Sequence, residues 1–105
     1  VGISGQTVGA IGLSMHLVTI PPGARSAPHY HVGYETGIYV LAGRVLTRWG
    51  TKLENEVVSE AGEFLFIPPG VPHEAVNLSA TEAARAVVAR NHPAEQDQVQ
   101  PYVVE

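Results

Sequence analysis

The chain has 105 residues, a formal net charge of −4 and no cysteine. This length suits a single domain, and the lack of cysteine excludes disulfides, thiolate metal ligands and a cysteine nucleophile. The six lysines and arginines are scattered, so the sequence offers no basic patch for nucleic acid. It also contains no apolar run of membrane-spanning length and no visible signal peptide, which predicts a cytoplasmic protein without a membrane partner.

The pattern of short apolar segments predicts an all-β domain, because 11 glycines and 8 prolines interrupt them at close intervals. Residues 1–12 are predicted to form an N-terminal arm, either irregular or a weak edge strand. Strands are then predicted at residues 13–20, 28–32, 37–41, 44–49, 56–59, 64–67, 73–78 and 83–90, with 44–49 as the hairpin partner of 37–41. Residues 91–105 form a tail, whose apolar stretch 102–104 is expected to pack on the domain or on a partner subunit.

Two histidines separated by one residue, His29 and His31, lie in the predicted strand 28–32. Side chains at positions i and i+2 of a strand share a face, so both imidazoles are presented to one point. Glu35 follows after three residues, and His73 follows a Pro-Pro-Gly turn that fixes its direction. Imidazole with carboxylate suits transition metals better than calcium or magnesium. We therefore predict a metal site with ligands His29, His31, Glu35 and His73.

The spacing of these residues resembles the two motifs of the cupin superfamily. The first motif runs from Gly23 to Gly43 and contains both strand histidines and the glutamate. The second has the order glycine, five residues, Pro-Pro-Gly, two residues, histidine, three residues and asparagine, and it ends at Asn77. The resemblance implies a single small cupin domain over residues 1–105, with the all-β double-stranded β-helix, or jelly-roll barrel, of that family. It also implies one divalent transition metal inside the barrel, which could be Fe, Mn, Ni or Zn.

The position of the carboxylate ligand has two interpretations. The family spacing leaves six residues between the glutamate and the closing glycine, whereas seven separate Glu35 from Gly43, and a count of six leads to Thr36. Either Glu35 binds the metal and a bulge near Gly37 absorbs the extra residue, or Thr36 takes the position and Glu35 turns to the other face. We favour Glu35 because a carboxylate is the better ligand. The alternative leaves three histidines and water, a set that suits zinc.

Other residues receive less specific predictions. His16 lies among apolar residues and is interpreted as a wall or interface histidine held by a hydrogen bond, the alternatives being a fourth nitrogen ligand or a general base. Four aromatic residues are predicted to fill the core, some of them lining the metal pocket: Tyr39, Trp49, Phe64 and Phe66. Few polar residues flank the histidines, which favours a small apolar or aromatic molecule as the substrate.

Two classes of function fit these features. The first is a metalloenzyme resembling the dioxygenase-like small cupins or cupin polyketide cyclases, which would carry out oxidation or Lewis-acid isomerisation and cyclisation. Glu35 could then serve as the catalytic base if it does not bind metal. The second is a non-catalytic cupin that binds or senses a small molecule and holds a structural metal. The fold alone does not choose between them.

A homodimer is predicted from the apolar residues that the barrel leaves outside. Tyr30 lies between two inward histidines and should face outward, and some of Tyr39, Leu41 and the N-terminal arm should do the same. A small barrel has much surface for its volume, so burying one sheet face against a second copy is favourable.

Overall fold

A computed structural model describes residues 2–26, 28–31, 33–92 and 99–101, with only the backbone described for His31 and for residues 99–101. The chain forms one short helix and nine strands within these ranges. They are α1 (Gly5–Val8), β1 (Ser14–Ile20), β2 (His29–His31), β3 (Thr36–Ala42), β4 (Arg44–Trp49), β5 (Asn55–Glu60), β6 (Phe64–Ile67), β7 (His73–Asn77), β8 (Ala84–Arg90) and β9 (Val99–Pro101).

The strands form two antiparallel sheets. A four-stranded sheet has the order β1-β8-β3-β6, and a five-stranded sheet has the order β5-β4-β7-β2-β9. Neighbouring strands in each sheet are mostly distant in sequence, as in a jelly roll, where the chain repeatedly crosses between two facing sheets. The predicted all-β jelly-roll fold is therefore confirmed. β9 extends the five-stranded sheet by pairing with β2, and the predicted apolar stretch 102–104 lies outside the described residues.

The N-terminal arm contains a single helical turn where the sequence predicted an irregular segment or an edge strand. Ser4 and Thr7 form a capping box around α1, in which the Thr7 amide donates to Ser4 Oγ at 3.3 Å and the Ser4 amide donates to Thr7 Oγ1 at 2.8 Å. Such reciprocal caps stabilise the first turn of a helix. No helix in the described ranges is long and apolar enough to cross a membrane.

β3 and β4 belong to different sheets, so the predicted hairpin between them is wrong. Gly43 lies between the two strands with φ of +90°, and a side chain there would approach Ala84 to 3.0 Å. The positive φ and the close approach both favour glycine. The chain thus passes from one sheet to the other at Gly43, and β4 pairs instead with β5 and β7.

Alternation along the strands of the four-stranded sheet separates a buried inner face from an apolar outer face. Val40 and Ile67 are buried on the inner side, whereas Phe64 is 80% exposed and Phe66 is 59% exposed. The prediction that both phenylalanines fill the core is wrong, because β6 is an edge strand whose inner positions belong to residues 65 and 67.

Asn77 ties two loops together at the end of β7. Its Nδ2 lies 2.9–3.1 Å from three carbonyl oxygens, those of Ile20, Pro21 and Glu82, and its Oδ1 accepts the amide of Ser79 at 2.9 Å. The side chain is buried, so each bond replaces a contact with water that the folded chain excludes. The last residue of the second motif therefore has a structural role in this chain.

Candidate metal centre

His29 and His73 lie side by side in the five-stranded sheet. β2 and β7 are antiparallel neighbours, and the two histidines face each other in register. Their ring centroids are 4.4 Å apart, with the ring planes inclined at 61°. Imidazoles bound to one ion through nitrogens at about 2.0–2.1 Å bring their ring centres to a comparable separation of about 4–5 Å. The geometry of this pair therefore suits two ligands of a single metal ion.

A backbone carbonyl fixes the tautomer of His73. Nδ1 of His73 lies 2.9 Å from the carbonyl oxygen of Val71, and since a carbonyl only accepts, Nδ1 carries the proton. Nε2 is then the basic nitrogen, as metal ligation through that atom requires. Burial lowers the pKa of His73 to about 4; the bond to Val71 opposes this shift, and His29 and Arg90 add to it. The imidazole is thus neutral over the physiological pH range.

The metal-free protein should lose stability in mild acid because of His73. Its pKa is about 4 in the folded chain and about 6.5 in an unfolded one, so protons bind preferentially to the unfolded state between these values. The free energy of unfolding should fall by up to about 3 kcal/mol as the pH drops from 6.5 to 4. Urea denaturation of chelator-treated protein across this range measures the slope, which should flatten in His73→Asn. An equal slope in the variant would assign the effect to other groups.

His31 belongs to the same strand as His29, and the description of this residue is limited to its backbone. Because His31 lies two residues after His29 in this strand, we still expect both side chains to lie on the same face. Among the described side chains, no group of three histidine, cysteine or acidic residues is arranged to hold a metal. The convergence of His31 with the other two histidines remains a prediction.

The structure turns Thr36, and not Glu35, toward the cavity. Thr36 is the first residue of β3, is buried and lies on the cavity wall, whereas Glu35 is exposed and is not among the cavity-lining residues. Pairing of β3 is regular through Gly37, and its irregularity lies between Val40 and Ala42. The predicted bulge near Gly37 is therefore wrong. The physical reason is strand alternation: with Val40 inward, the residue four positions earlier also faces inward.

Replacing Glu35 by glutamine should leave the metal content of the purified protein nearly unchanged. The exposed carboxylate lies off the cavity wall, while the backbone amide of Glu35, which the substitution retains, donates to Asn91 Oδ1 at 2.7 Å. Elemental analysis of wild type and Glu35→Gln, prepared in parallel, tests this. A loss of most of the bound metal in Glu35→Gln would show that Glu35 is a metal ligand.

The two histidines open onto a cavity of about 330 Å³ between the sheets. Its wall is mainly aliphatic, with side chains such as Val18, Ile38, Leu65 and Val88. This volume suits a small organic molecule. The polar part of the wall, apart from the histidines, is made by residues of both sheets and of the loop before β2: Thr19, Arg25, Ser26, Thr36, Thr47, Ser59 and Arg90.

Sequence reasoning missed Arg90 as a residue of the site. It ends β8 and lines the cavity, and its Nη1 donates to Nε2 of His16 at 3.0 Å. This bond agrees with the predicted hydrogen bond of His16, whereas His16 is not among the residues that line the cavity. The signal that could have found Arg90 is alternation along 84–90, where residues 84, 86 and 88 are buried and 90 takes the next inward position.

A jelly-roll barrel with paired histidines from adjacent strands around an internal cavity defines the cupin class of protein. Comparison with known families agrees: residues 16–90 match the cupin domain family. The chain belongs to the cupin superfamily.

The chain matches only a part of the length of its named relatives. The chain is 38% identical over 84 residues to oxalate oxidase GF-2.8 of Triticum aestivum, which covers 73% of this chain and 37% of that protein. It is 37% identical over 87 residues to germin-like protein 3-5 of Oryza sativa subsp. japonica, covering 76% of this chain and 37% of the relative. The chain thus spans little more than a third of these relatives.

Solved structures with the same fold include two enzymes. Recombinant oxalate oxidase in complex with glycolate superposes with a TM-score of 0.77 and 26% identity, covering 90% of this chain and 50% of that one. The polyketide cyclase RemF of Streptomyces resistomycificus superposes with a TM-score of 0.74 and 27% identity, covering 92% of this chain and 65% of that one.

Proposed function

We propose that this cupin binds one divalent transition metal through His29, His31 and His73, and acts as a metalloenzyme on a small organic molecule inside the barrel. The observation that supports this most directly is the His29–His73 pair, with ring centroids 4.4 Å apart, at the wall of a cavity of about 330 Å³. The bond from His73 to the Val71 carbonyl orients one ring for ligation through Nε2.

The ligand set favours Lewis-acid chemistry. Without Glu35 as a ligand, the protein ligands would be neutral imidazoles, and a divalent ion would keep its full charge in a largely apolar cavity. A metal held there would supply a Lewis acid that polarises a carbonyl oxygen of the substrate. The aliphatic wall limits the entry of water and orients the apolar part of the substrate. These features support isomerisation or cyclisation over oxidation, and zinc as the metal.

The similar proteins include an oxalate oxidase and a polyketide cyclase, so the experiment must distinguish oxidation from Lewis-acid cyclisation or isomerisation. Protein purified without chelator should contain one metal ion per chain by elemental analysis. It should convert members of a panel of small ketones and keto acids under argon as fast as in air, with products followed by mass spectrometry. Turnover that requires dioxygen would contradict Lewis-acid catalysis and indicate an oxidase. Metal without turnover of any panel member, but with saturable binding, would support a non-catalytic binding domain.

The outer face of the four-stranded sheet supports a homodimer as the assembly. Side chains from all four strands form one apolar row across this face in register: Leu17, Val87, Tyr39 and Phe64. A second row runs beside it, with Met15 and Phe66 at its two ends. Exposed apolar surface of this extent is typical of an interaction site, and isologous pairing of the same face is the commonest closed arrangement.

Sedimentation should give the mass of a dimer at micromolar concentration, with at least about 800 Å² buried per partner. The double variant Phe64→Glu/Phe66→Glu places charges on the proposed interface and should give a monomer. Leu78→Glu, at a residue that is 44% exposed and follows β7 of the other sheet, is the control and should remain dimeric. A monomeric wild type would rule out this assembly.

A further inference from the structure

The inner face of the four-stranded sheet carries a row of polar side chains at the end of the cavity. Arg90 of β8 is in register with Thr36 of β3 on one side and with Ser14 of β1 on the other. Arg90 and Thr36 both line the cavity. His29 and His73 lie on the facing sheet. The cavity therefore has the histidine pair on one wall and a guanidinium with a hydroxyl on the other.

The hydroxyl of Thr36 is buried without a hydrogen-bond partner among the described residues. Thr36 is only 2% exposed, and its Oγ1 is one of the few buried side-chain oxygens in this situation. Ser14 Oγ, beyond Arg90, is another. Buried hydroxyls in folded proteins are nearly always satisfied by protein or water, so this one, on a cavity wall, is available to a group inside the cavity. Thr36 can donate its hydroxyl proton to such a group.

Arg90 is held in place by His16. Nη1 of Arg90 can only donate, so Nε2 of His16 accepts at 3.0 Å and the imidazole is the neutral tautomer protonated at Nδ1. Arg90 and the two histidines line the same cavity, so its positive charge faces the volume that they enclose from the other side. His16 is thus a positioning residue that holds the guanidinium on the wall opposite the histidine pair.

The cavity is cationic although the chain is acidic. The net charge of the protein is −4, yet none of the described residues that line the cavity is aspartate or glutamate. The other lining arginine, Arg25, forms an ion pair with Glu74 at 2.9 Å. A divalent metal held by neutral histidines would raise the positive charge of this cavity further. An anionic group on the substrate would be attracted by Arg90 and by such a metal.

We propose that Arg90 and Thr36 bind the carboxylate of an organic acid whose apolar body fills the cavity. A guanidinium presents a planar fork that matches a carboxylate, and a hydroxyl beside it adds a third hydrogen bond. The aliphatic wall suits a hydrocarbon body on that acid. This inference deepens the proposed function, because it takes the cavity beside the histidines as the substrate site and names the class of substrate.

Paired probes of equal shape test the proposal. Benzoate and benzamide differ in charge but little in size, and calorimetry on the protein as isolated should show benzoate binding about 10- to 100-fold more tightly. Arg90→Gln should abolish this preference, and Arg90→Lys should retain part of it. Thr36→Val, which removes only the hydroxyl, should weaken benzoate binding about 3- to 10-fold and leave benzamide unchanged. Arg85→Gln is the matched control, because Arg85 is on the same strand and exposed on the outer face.

The outcomes separate this inference from the proposed function. Metal content is measured on each sample, and Arg90→Gln should keep its metal. Full metal with equal affinity for the two probes would overturn the carboxylate site and leave the metal centre standing. A benzoate preference that survives in Arg90→Gln would also overturn it, since the carboxylate would then be bound elsewhere. A preference that depends on Arg90 in protein that takes up no metal would support the carboxylate site and overturn the metalloenzyme. If Arg90→Gln fails to fold, Thr36→Val tests the carboxylate site alone, and unchanged benzoate binding in that variant would overturn it.

Discussion

Replacing His73 by alanine is expected to weaken metal binding at least about 100-fold, beyond the effect typical of residues that only support a ligand. The substitution removes one of the two described imidazoles that lie together at 4.4 Å. It also removes the ring that the Val71 carbonyl holds in the ligating tautomer. Competition with a chromophoric zinc chelator measures the affinity, and circular dichroism should show that the barrel remains folded.

His92→Ala is the matched control for His73→Ala. His92 follows β8, packs its ring against Tyr34 at a centroid distance of 5.4 Å, and is not part of the cavity lining. Its removal should leave the metal affinity within about twofold of wild type, because surface substitutions outside the site have small effects. His31→Ala should behave like His73→Ala if His31 is the third ligand. Unchanged affinity in His73→Ala, with the protein folded, would contradict the metal centre.

Replacing Asn77 by aspartate should destabilise the protein by about 3 kcal/mol or more at neutral pH, the cost of a buried charge facing unpaired acceptors. The change is nearly isosteric. It turns an amide nitrogen that lies 2.9–3.1 Å from three carbonyl oxygens into a carboxylate oxygen that repels them. For a domain of this size the melting temperature should fall by about 10–20 °C. Differential scanning calorimetry provides the measurement.

Asn55→Asp separates the buried network from the general effect of an added negative charge. Asn55 is exposed on β5, and its Nδ2 makes a single bond of 3.3 Å to the carbonyl of Trp49. This control should change the unfolding free energy by no more than about 0.5 kcal/mol. Similar losses for the two variants would mean that the loops joined by Asn77 contribute little to stability.

Much of the fold was accessible from the sequence because glycine, proline and alternation mark strand ends independently of long-range contacts. β4 and β6 begin and end at the predicted residues, and β7 ends one residue earlier than predicted. The sheet in which a strand pairs was less accessible. Gly43 was interpreted as a hairpin break, but the close approach of Ala84, which comes from a distant part of the chain, accounts for the crossing between sheets.

The candidate site was predicted in part. Spacing brought His29 and His73 together, because their motifs fix them on adjacent strands. Glu35 was preferred because a carboxylate is the better ligand, whereas strand alternation turns Thr36 inward and leaves Glu35 exposed, so a metal–carboxylate bond stays a prediction. Arg90 was missed for a different reason. Alternation along 84–90 indicates which side chains share a face with Arg90, but only the pairing of β8 between β1 and β3, distant in sequence, places that face on the cavity.

The division of the cavity between two sheets has a consequence for ligand length. The histidines are attached to the five-stranded sheet, and Arg90 and Thr36 to the four-stranded sheet. Facing sheets pack about 10 Å apart, so the separation of the two sheets limits the length of any molecule that touches both walls. Ala75 of the five-stranded sheet and Ala86 of the four-stranded sheet are small residues on the two walls. Enlarging either one would shorten the longest acid that fits, without altering a single polar group.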